Sequence, residues 1–233
     1  MPLLKPVIRQ GTINFIAQSD VTCYIIRGEY GDLLIDTGFL PVKRALMRWI
    51  DEYDVRWVFL THAHPDHDWN AAEIQQKGAK IILNECDRTL RRNFLMQRVM
   101  PTANRWRWRN VTQNIGGGLI KSPAYDPDIY FSAKNTDFLK NYGFDAEIIP
   151  LPGHTYGSSG ILHRDVLYCG DAFTALNGTP QVPMHAVNPM TMAESLRKIL
   201  DLKPKWLACG HGLPVRFVDA KPVIQAYLWA HCK

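Results

Sequence analysis

The fold of this chain is decided by one stretch of sequence, Thr61-His62-Ala63-His64-Pro65-Asp66-His67. It gathers three imidazoles and one carboxylate directly after the apolar run Trp57-Val58-Phe59-Leu60. Neutral imidazole and carboxylate are the ligands that suit zinc and similar divalent metals. Core packing does not explain so dense a cluster, because buried His and Asp side chains need polar partners. The stretch therefore predicts a metal site at the end of a buried strand.

Three further polar residues follow apolar, strand-like runs in the same way. They are His154, Asp171 and His211, and a glycine directly precedes each of them. Glycine at such a position lets the backbone turn sharply and approach a neighbour closely. Because residues at strand ends converge on one edge of a sheet, we expect all the candidate ligands to meet there. The candidate ligands are His62, His64, Asp66, His67, His154, Asp171 and His211.

The order of these motifs resembles the metallo-β-lactamase superfamily. That family carries a His-x-His-x-Asp-His motif, then Pro-Gly-His-Thr, Gly-Asp and Gly-His-Gly. The chain matches them at residues 62–67, 152–155, 170–171 and 210–212. The segment Leu34-Ile35-Asp36-Thr37-Gly38 is also similar to the family's Asp-Thr-Gly turn. The resemblance implies an α+β fold, the four-layer αβ/βα sandwich of the metallo-β-lactamase fold.

Length and composition agree with one globular domain over residues 1–233, of which 46% are hydrophobic. The rhythm of short strands and helices breaks between about residues 84 and 140, which predicts an insertion or lid. Within it, the spacing predicts a helix over 85–97. The run Arg105-Trp106-Arg107-Trp108-Arg109 is interpreted as a strand or lid, with a nucleic-acid-binding stretch as the alternative. A helix over 68–77 is expected just before this segment.

Two metal positions are expected. In an extended segment, side chains two residues apart point to the same side, so His62 and His64 can bind the same ion. His154 would complete that site. The resemblance implies that Asp171 bridges two divalent ions. These ions would share a hydroxide that attacks the substrate. The expected metal is Zn²⁺, with Fe or Mn as alternatives.

Asp66 and His67 fall where the chain turns into a helix, and with His211 they are expected to face the second ion. Asp66 and Asp171 are the predicted catalytic carboxylates, since Asp66 would orient the attacking water or take its proton. The alternative for Asp66 is a helix cap.

Two further residues are assigned supporting roles. Asp36 is expected to hydrogen-bond a ligand histidine, with a plain turn residue as the alternative. Tyr156 is a candidate substrate contact, because it lies two residues after His154. His163, His185 and His231 have no motif around them and are interpreted as surface or loop residues, although His185 is also a candidate for the cleft.

The resemblance implies a binuclear metal-dependent hydrolase of an ester, thioester or lactone, in the glyoxalase II-like and lactonase-like branch. Asp171 argues against a true zinc β-lactamase, which lacks an aspartate there. Thr174 departs from the lactonases, which carry tyrosine at that position. The chain after His211 is too short for the helical domain of glyoxalase II. Two alternatives stay open: a mononuclear iron persulfide dioxygenase and a metal-dependent nuclease or phosphodiesterase. A non-catalytic metal-binding domain is the weakest reading, because no ligand position is lost.

Charge and cysteine content limit the partners. The 27 basic and 22 acidic residues give a net charge of +5, which is compatible with an anionic small-molecule substrate but too small to indicate nucleic acid.

The sequence has no apolar run of the ~18 residues that a membrane span needs. Five cysteines without Cys-x-x-Cys spacing favour the reducing cytoplasm. The sequence leaves the oligomeric state open, a homodimer included.

Overall fold

Two stacked β-sheets form the centre of the molecule. A computed structural model describes residues 8–10, 13–18, 21–91, 96–106, 108 and 120–231. In this part of the chain, strands between residues 8 and 131 form a seven-stranded sheet, and strands between residues 146 and 216 form a five-stranded sheet. A two-stranded ribbon pairs residues 100–101 with residues 185–186. With helices on the two outer faces, this is the αβ/βα sandwich that the sequence predicts.

The bounds of the elements are as follows. The strands are β1 (Ile8–Gln10), β2 (Ile13–Gln18), β3 (Val21–Arg27), β4 (Asp32–Ile35), β5 (Val55–Phe59), β6 (Lys80–Asn84), β7 (Met100–Pro101), β8 (Ile129–Phe131), β9 (Ala146–Pro150), β10 (Ser159–His163), β11 (Val166–Gly170), β12 (His185–Ala186), β13 (Trp206–Cys209) and β14 (Val215–Arg216). The α-helices whose bounds the structure describes are α1 (Leu40–Ile50), α2 (Pro65–Asp68), α3 (Ala71–Gln76), α4 (Pro189–Leu202) and α5 (Phe217–His231). The seven-stranded sheet has the order β1-β2-β3-β4-β5-β6-β8, and the five-stranded sheet has the order β14-β13-β11-β10-β9.

Alternating side chains along the strands build three hydrophobic layers. In β4, Leu33 and Ile35 face the second sheet and pack with Ile148 and Ile161. Leu34 faces the other way and packs against the apolar side of α1. Successive side chains of a strand point to opposite faces, so one apolar run serves two layers. Each such fully buried side chain contributes about 1.5–3 kcal/mol by leaving water.

The second sheet is covered by α4 and α5 in the same manner. Leu207 of β13 packs with Leu196 and Ile224 from the two helices. Helix α4 begins cleanly because the side chain of Asn188 accepts hydrogen bonds from the backbone of residues 190 and 191, and Pro189 occupies the first turn. These contacts fix the strand that ends just before His211.

Parallel pairing brings the predicted ligand loops to one edge. Strands β4, β5 and β6 pair in parallel, so their carboxyl ends share an edge of the first sheet. Strands β11 and β13 do the same in the second sheet. The two edges meet where the backbone N–H of Thr22 donates to the carbonyl of Gly210 over 2.9 Å. The topology therefore positions the site between the two sheets.

Three local predictions are wrong in whole or in part. The helix expected over 68–77 is confirmed for residues 71–76 as α3, but it begins later than expected, because the side chain of Asn70 donates to the carbonyl of Thr37 between α2 and α3 over 2.7 Å. The helix expected over 85–97 is a short 3-10 turn, Glu85–Asp87, because the side chain of Asp87 turns inward to other loops, and residues 92–95 lie outside the described ones.

The third concerns the Arg-Trp run. Residues Asn104–Trp106 form a 3-10 turn in place of a strand, and the side chain of Trp108 is 86% exposed where the strand interpretation turned it inward. Arg107, Arg109 and the glycine stretch at 116–118 lie outside the described residues. The strand interpretation is therefore wrong for the described residues, and the lid interpretation stays a prediction.

Candidate metal centre

Three histidines form the first half of the centre. The Nε2 atom of His62 lies 3.0 Å from Nδ1 of His64, and Nε2 of His154 lies 3.1 Å from the same atom. His62 and His64 follow β5, and His154 follows β9, so the ends of two different sheets supply the three rings. All three residues are buried. The geometry brings three ring nitrogens to one point, as the spacing of the motif predicts.

Asp66, His67 and His211 form the second half. The Nε2 atom of His211 lies 3.2 Å from a carboxylate oxygen of Asp66, and Nε2 of His67 lies 3.9 Å from the same carboxylate. Asp66 lies inside α2, whose N-cap is His64, so Asp66 is not the residue that caps this helix. Its carboxylate faces His211, in the direction that a shared ligand role requires.

Asp171 lies between the two halves. One of its oxygens is 3.5 Å from Nε2 of His154 and 3.2 Å from Nε2 of His211. The other oxygen is 3.5 Å from Nε2 of His67. Gly170 turns the chain here with a φ of 50°, which is the freedom that the preceding glycine was expected to provide. All seven candidate ligands are therefore brought together.

The donor set fits divalent metal ions. Among the described residues, Nε2 of His67 and the Oδ1 atom of Asp171 are buried without a hydrogen-bond partner. Leaving such atoms bare is costly, so they indicate an absent positive partner. Gly210 keeps this space open, since a Cβ atom there would lie 2.5 Å from both the Asp171 carboxylate and the His67 ring. Imidazoles and carboxylates together suit Zn, Fe, Mn or Co.

Asp36 orients two of the ligands. Its Oδ2 atom accepts a hydrogen bond of 2.8 Å from Nδ1 of His67 and another of 2.8 Å from the hydroxyl of Thr61. Because that hydroxyl donates to Asp36, its oxygen is free to accept from Nδ1 of His62 over 3.1 Å. Both rings then present Nε2 to the centre. Asp36 has a left-handed φ of 58°, a conformation that clusters at functional sites.

His154 is held by the backbone in a similar way. Its Nδ1 atom donates to the carbonyl of His185 over 3.0 Å, so its Nε2 atom also faces the cluster. A hydrogen bond at the outer nitrogen fixes the tautomer and the ring plane of a ligand histidine. His185, one of the candidates for the cleft, thus touches a ligand through its main chain.

The sequence analysis missed Asp87, which connects two ligand loops. Its carboxylate accepts from the backbone N–H of Ala63 over 3.1 Å and of Gly157 over 2.9 Å. It also accepts from the hydroxyl of Thr155 over 2.8 Å and from Nε2 of Gln97 over 3.0 Å. The position of Asp87 after β6 could have indicated this role, because the end of β6 lies on the same sheet edge as the end of β5. The sequence analysis instead assigned Asp87 to a helix over 85–97.

Asp68 is a second missed carboxylate, and it attaches the insertion to the metal motif. It is buried at the end of α2 and accepts hydrogen bonds from the hydroxyls of Ser122 and Tyr125, the latter over 2.8 Å. Burial raises the pKa of Asp68 to about 6, and the two hydroxyls oppose that shift. No spacing in the sequence links residue 68 to residues 122–125.

Burial and charge set the protonation states at the centre. Burial lowers the pKa of His62, helped by His67, and lowers that of His64 to about 3. Burial opposes the charge on Asp171, but His211 and His67 outweigh it and lower its pKa. Burial likewise opposes the charge on His211, but the carboxylates of Asp171 and Asp66 outweigh it and raise the pKa of His211 to about 10. The carboxylates therefore stabilise positive charge between them, as a cation site requires.

Comparison with known proteins agrees with this geometry. The family model of the metallo-beta-lactamase superfamily matches residues 17–211. The chain belongs to the metallo-beta-lactamase superfamily. It is 30% identical to the hydroxyacylglutathione hydrolase GloC of Haemophilus influenzae, covering 77% of this chain and 79% of that protein. It is 27% identical to a metallo-beta-lactamase fold-containing protein of Sulfurisphaera tokodaii, over 82% of this chain and 72% of that protein.

Solved structures confirm the fold. A metallo-beta-lactamase family protein of Thermus thermophilus superposes with a TM-score of 0.67 at 22% identity, covering 91% of this chain and 74% of the other. The predicted α+β sandwich and the predicted family are thus confirmed, and the chain is a metal-dependent hydrolase of the metallo-beta-lactamase superfamily. In the described part of the chain, no helix has the length and apolar character needed to cross a bilayer.

The sheet edge that carries the candidate ligands forms the floor of a cavity of about 380 Å³. His64, Asp66, His154, Asp171 and His211 reach its surface, while His62 and His67 lie beneath it. The described lining includes His185 but not Tyr156, whose side chain is 53% exposed. The role of Tyr156 as a substrate contact stays a prediction. The remaining lining residues are Phe39, Pro65, Val99, Ile120, Thr174, Leu176, Gln181, Pro183 and Met184.

Proposed function

We propose that this protein is a binuclear metal-dependent hydrolase of a small ester, thioester or lactone. The observation that carries the proposal is the place of Asp171, with one oxygen within 3.5 Å of His154 and within 3.2 Å of His211. A carboxylate has two oxygens and a charge that offsets paired cations, so it suits a bridge between two ions. His62 and His64 complete the first set of ligands.

The chain's own groups have separate tasks in such a reaction. Bound divalent cations supply Lewis acidity, which ionises a water molecule near neutral pH and polarises a carbonyl oxygen. Asp66 has 38% of its side chain exposed at the cavity floor, where it can orient that water or accept its proton. Asp36 keeps the His67 ring in one tautomer throughout.

Similarity supports an acyl-transfer reaction to water. The relative named as a hydroxyacylglutathione hydrolase is 30% identical over 187 residues, which favours a thioester among the three substrate classes. We propose zinc as the resident metal, since the three-histidine set of His62, His64 and His154 is a familiar zinc site. Iron and manganese accept the same ligands. We further propose a single domain with a lid-forming insertion, a soluble small-molecule substrate and a cytoplasmic location.

The test combines elemental analysis with substrate panels. Native protein should contain two equivalents of metal and hydrolyse thioester or lactone substrates, while consuming no oxygen with a persulfide and leaving phosphodiesters and RNA intact. His62→Ala and Asp171→Ala should each remove at least one equivalent of metal and lower kcat/KM by about a thousandfold or more. His163→Ala is the matched control, because this histidine bonds only the carbonyl of Asp145 among the described residues.

Either of two results would refute the proposal. One is oxygen consumption with a persulfide by protein that holds one iron, which would establish the dioxygenase. The other is full hydrolytic activity in both His62→Ala and Asp171→Ala.

A further inference from the structure

The walls of the cavity differ in character from its floor. Above the floor, the wall residues come from the segments that follow β4 and β5, from the insertion and from the segment that follows β11. Their side chains are predominantly aliphatic, aromatic or thioether groups. They are Phe39, Pro65, Val99, Ile120, Leu176, Pro183 and Met184. Such walls bind apolar groups by removing both surfaces from water.

The ionisable groups of the described lining are confined to the floor and its border. Asp66, Asp171 and the histidines account for all of them, and Thr174 and Gln181 are the uncharged polar residues of the walls. Moving a charged group from water against apolar walls is costly unless an opposite charge meets it. The described walls therefore favour a neutral substrate group over a charged one.

One wall is held in place by buried hydrogen bonds. Strand β7 pairs with β12, so Pro101 lies opposite His185. The hydroxyl of Thr102 donates to the carbonyl of Pro183 over 2.5 Å, and its backbone N–H donates to the carbonyl of Met184 over 3.1 Å. The carbonyl of His185 also accepts from the ring of His154. The ribbon thus ties the insertion wall to a metal-site histidine.

A second part of the wall is anchored to the metal motif through Asp68. Ser122 and Tyr125, which donate to Asp68, lie just after Ile120 of the cavity lining. Hydrogen bonds thus connect both walls to the motif at the floor. A preorganised apolar wall lowers the ordering cost of binding, so it can discriminate between substrates by size and charge.

We infer that the acyl part of the substrate is an uncharged, apolar chain that lies against Ile120, Leu176 and Met184. This inference rests on the proposed hydrolase and specifies its substrate class. Hydrolysis would form a bond between the water oxygen and the acyl carbon and break the carbon–sulfur or carbon–oxygen bond. The leaving atom takes the proton, and the products are a carboxylic acid and a thiol or alcohol. No other reactant is needed.

The experiment uses metal-loaded full-length protein and two series of thioesters. In the first, straight-chain acyl groups from acetyl to octanoyl are carried on neutral N-acetylcysteamine. In the second, the same acyl groups are carried on anionic glutathione. Each added methylene should raise kcat/KM by about fourfold until the cavity is filled, because burying one methylene stabilises by about 0.8 kcal/mol. At equal chain length, the neutral series should be hydrolysed at least as well as the glutathione series.

A charge placed on the wall provides the variant. Ile120 is 46% exposed, so Ile120→Glu should fold normally. It should lower kcat/KM for octanoyl at least tenfold more than for acetyl. Val218→Glu is the matched control, since Val218 is 64% exposed and lies outside the described cavity lining. That control should leave both values unchanged.

Binding of n-alkyl methyl ketones, measured by calorimetry, separates this inference from the proposed function. If no thioester, ester or lactone is hydrolysed, the hydrolase proposal fails, and ketone affinity that rises with chain length still supports an apolar acyl wall. A flat chain-length dependence in both hydrolysis and ketone binding would overturn the inference. So would a strong preference for the glutathione series at equal chain length.

Discussion

Replacing Asp87 with alanine should loosen two ligand-bearing loops at once. Asp87 is fully buried and accepts hydrogen bonds from Ala63, which separates His62 from His64. It also accepts from Thr155 and Gly157, which follow His154. The close packing is visible at Gly157, where a Cβ atom would lie 2.6 Å from the Asp87 carboxyl carbon. The carboxylate thus sets the distance between the loops.

The expected magnitude follows from these contacts. Alanine leaves the buried backbone N–H groups of Ala63 and Gly157 without their acceptor, at about 1–3 kcal/mol each. The side chains of Thr155 and Gln97 can turn to other partners and are expected to cost less. Relief of a buried charge offsets part of the loss, since burial raises the pKa of Asp87. The free energy of unfolding should therefore fall by about 3 kcal/mol, and metal affinity by about 10- to 100-fold.

Asp87→Asn refines the test at nearly constant volume. An amide nitrogen replaces one acceptor oxygen, so it faces the N–H of either Ala63 or Gly157, donor against donor. One backbone amide then stays unsatisfied, and the expected cost is about 1–3 kcal/mol. Urea unfolding of metal-free protein measures the stability, and competition with a chromophoric chelator measures the metal affinity.

Asp126→Ala is the control for these variants. Asp126 is 85% exposed and pairs with Arg91 at 3.3 Å, so its removal should change stability by less than about 0.5 kcal/mol. The reasoning would be refuted by Asp87→Ala protein that unfolds within 0.5 kcal/mol of wild type. It would also be refuted by unchanged metal affinity in a clearly destabilised variant, since the loops would then hold their ligands without Asp87.

Two further predictions concern the ligands and the metal. Asp36→Asn replaces one of two acceptor oxygens with a donor, so either the ring of His67 or the backbone N–H of Thr61 loses its acceptor. Metal affinity should fall about 10- to 100-fold while circular dichroism stays unchanged, and equal affinity in chelator competition would contradict this. Removing the metals by dialysis against a chelator should lower the free energy of unfolding by about 4 kcal/mol per site at a thousandfold excess of metal over Kd. An unfolding temperature that does not change on chelation would show that no bound metal stabilises the buried atoms of His67 and Asp171.

Sequence alone determined the features that depend on local chemistry and order. The density of ligands at residues 62–67 and the glycine before each of His154, Asp171 and His211 predicted which side chains meet. Short apolar runs predicted the strands that precede the candidate ligands, because a continuous apolar run of this length is typical of a buried strand. The family assignment came from four motifs in the right order, and the fold of that family implied the sandwich architecture.

Tertiary structure decided the features that depend on distant contacts. Asp87 and Asp68 became identifiable only in the tertiary structure, where parallel strands and the insertion place them beside the metal motif. Hydrogen bonds between residues far apart in sequence produce no periodic pattern that the sequence could show. The same holds for the apolar cavity, whose walls come from segments more than a hundred residues apart along the chain, such as Phe39 and Met184. Local propensity favoured a helix over 85–97, and the long-range hydrogen bonds of Asp87 overrode it.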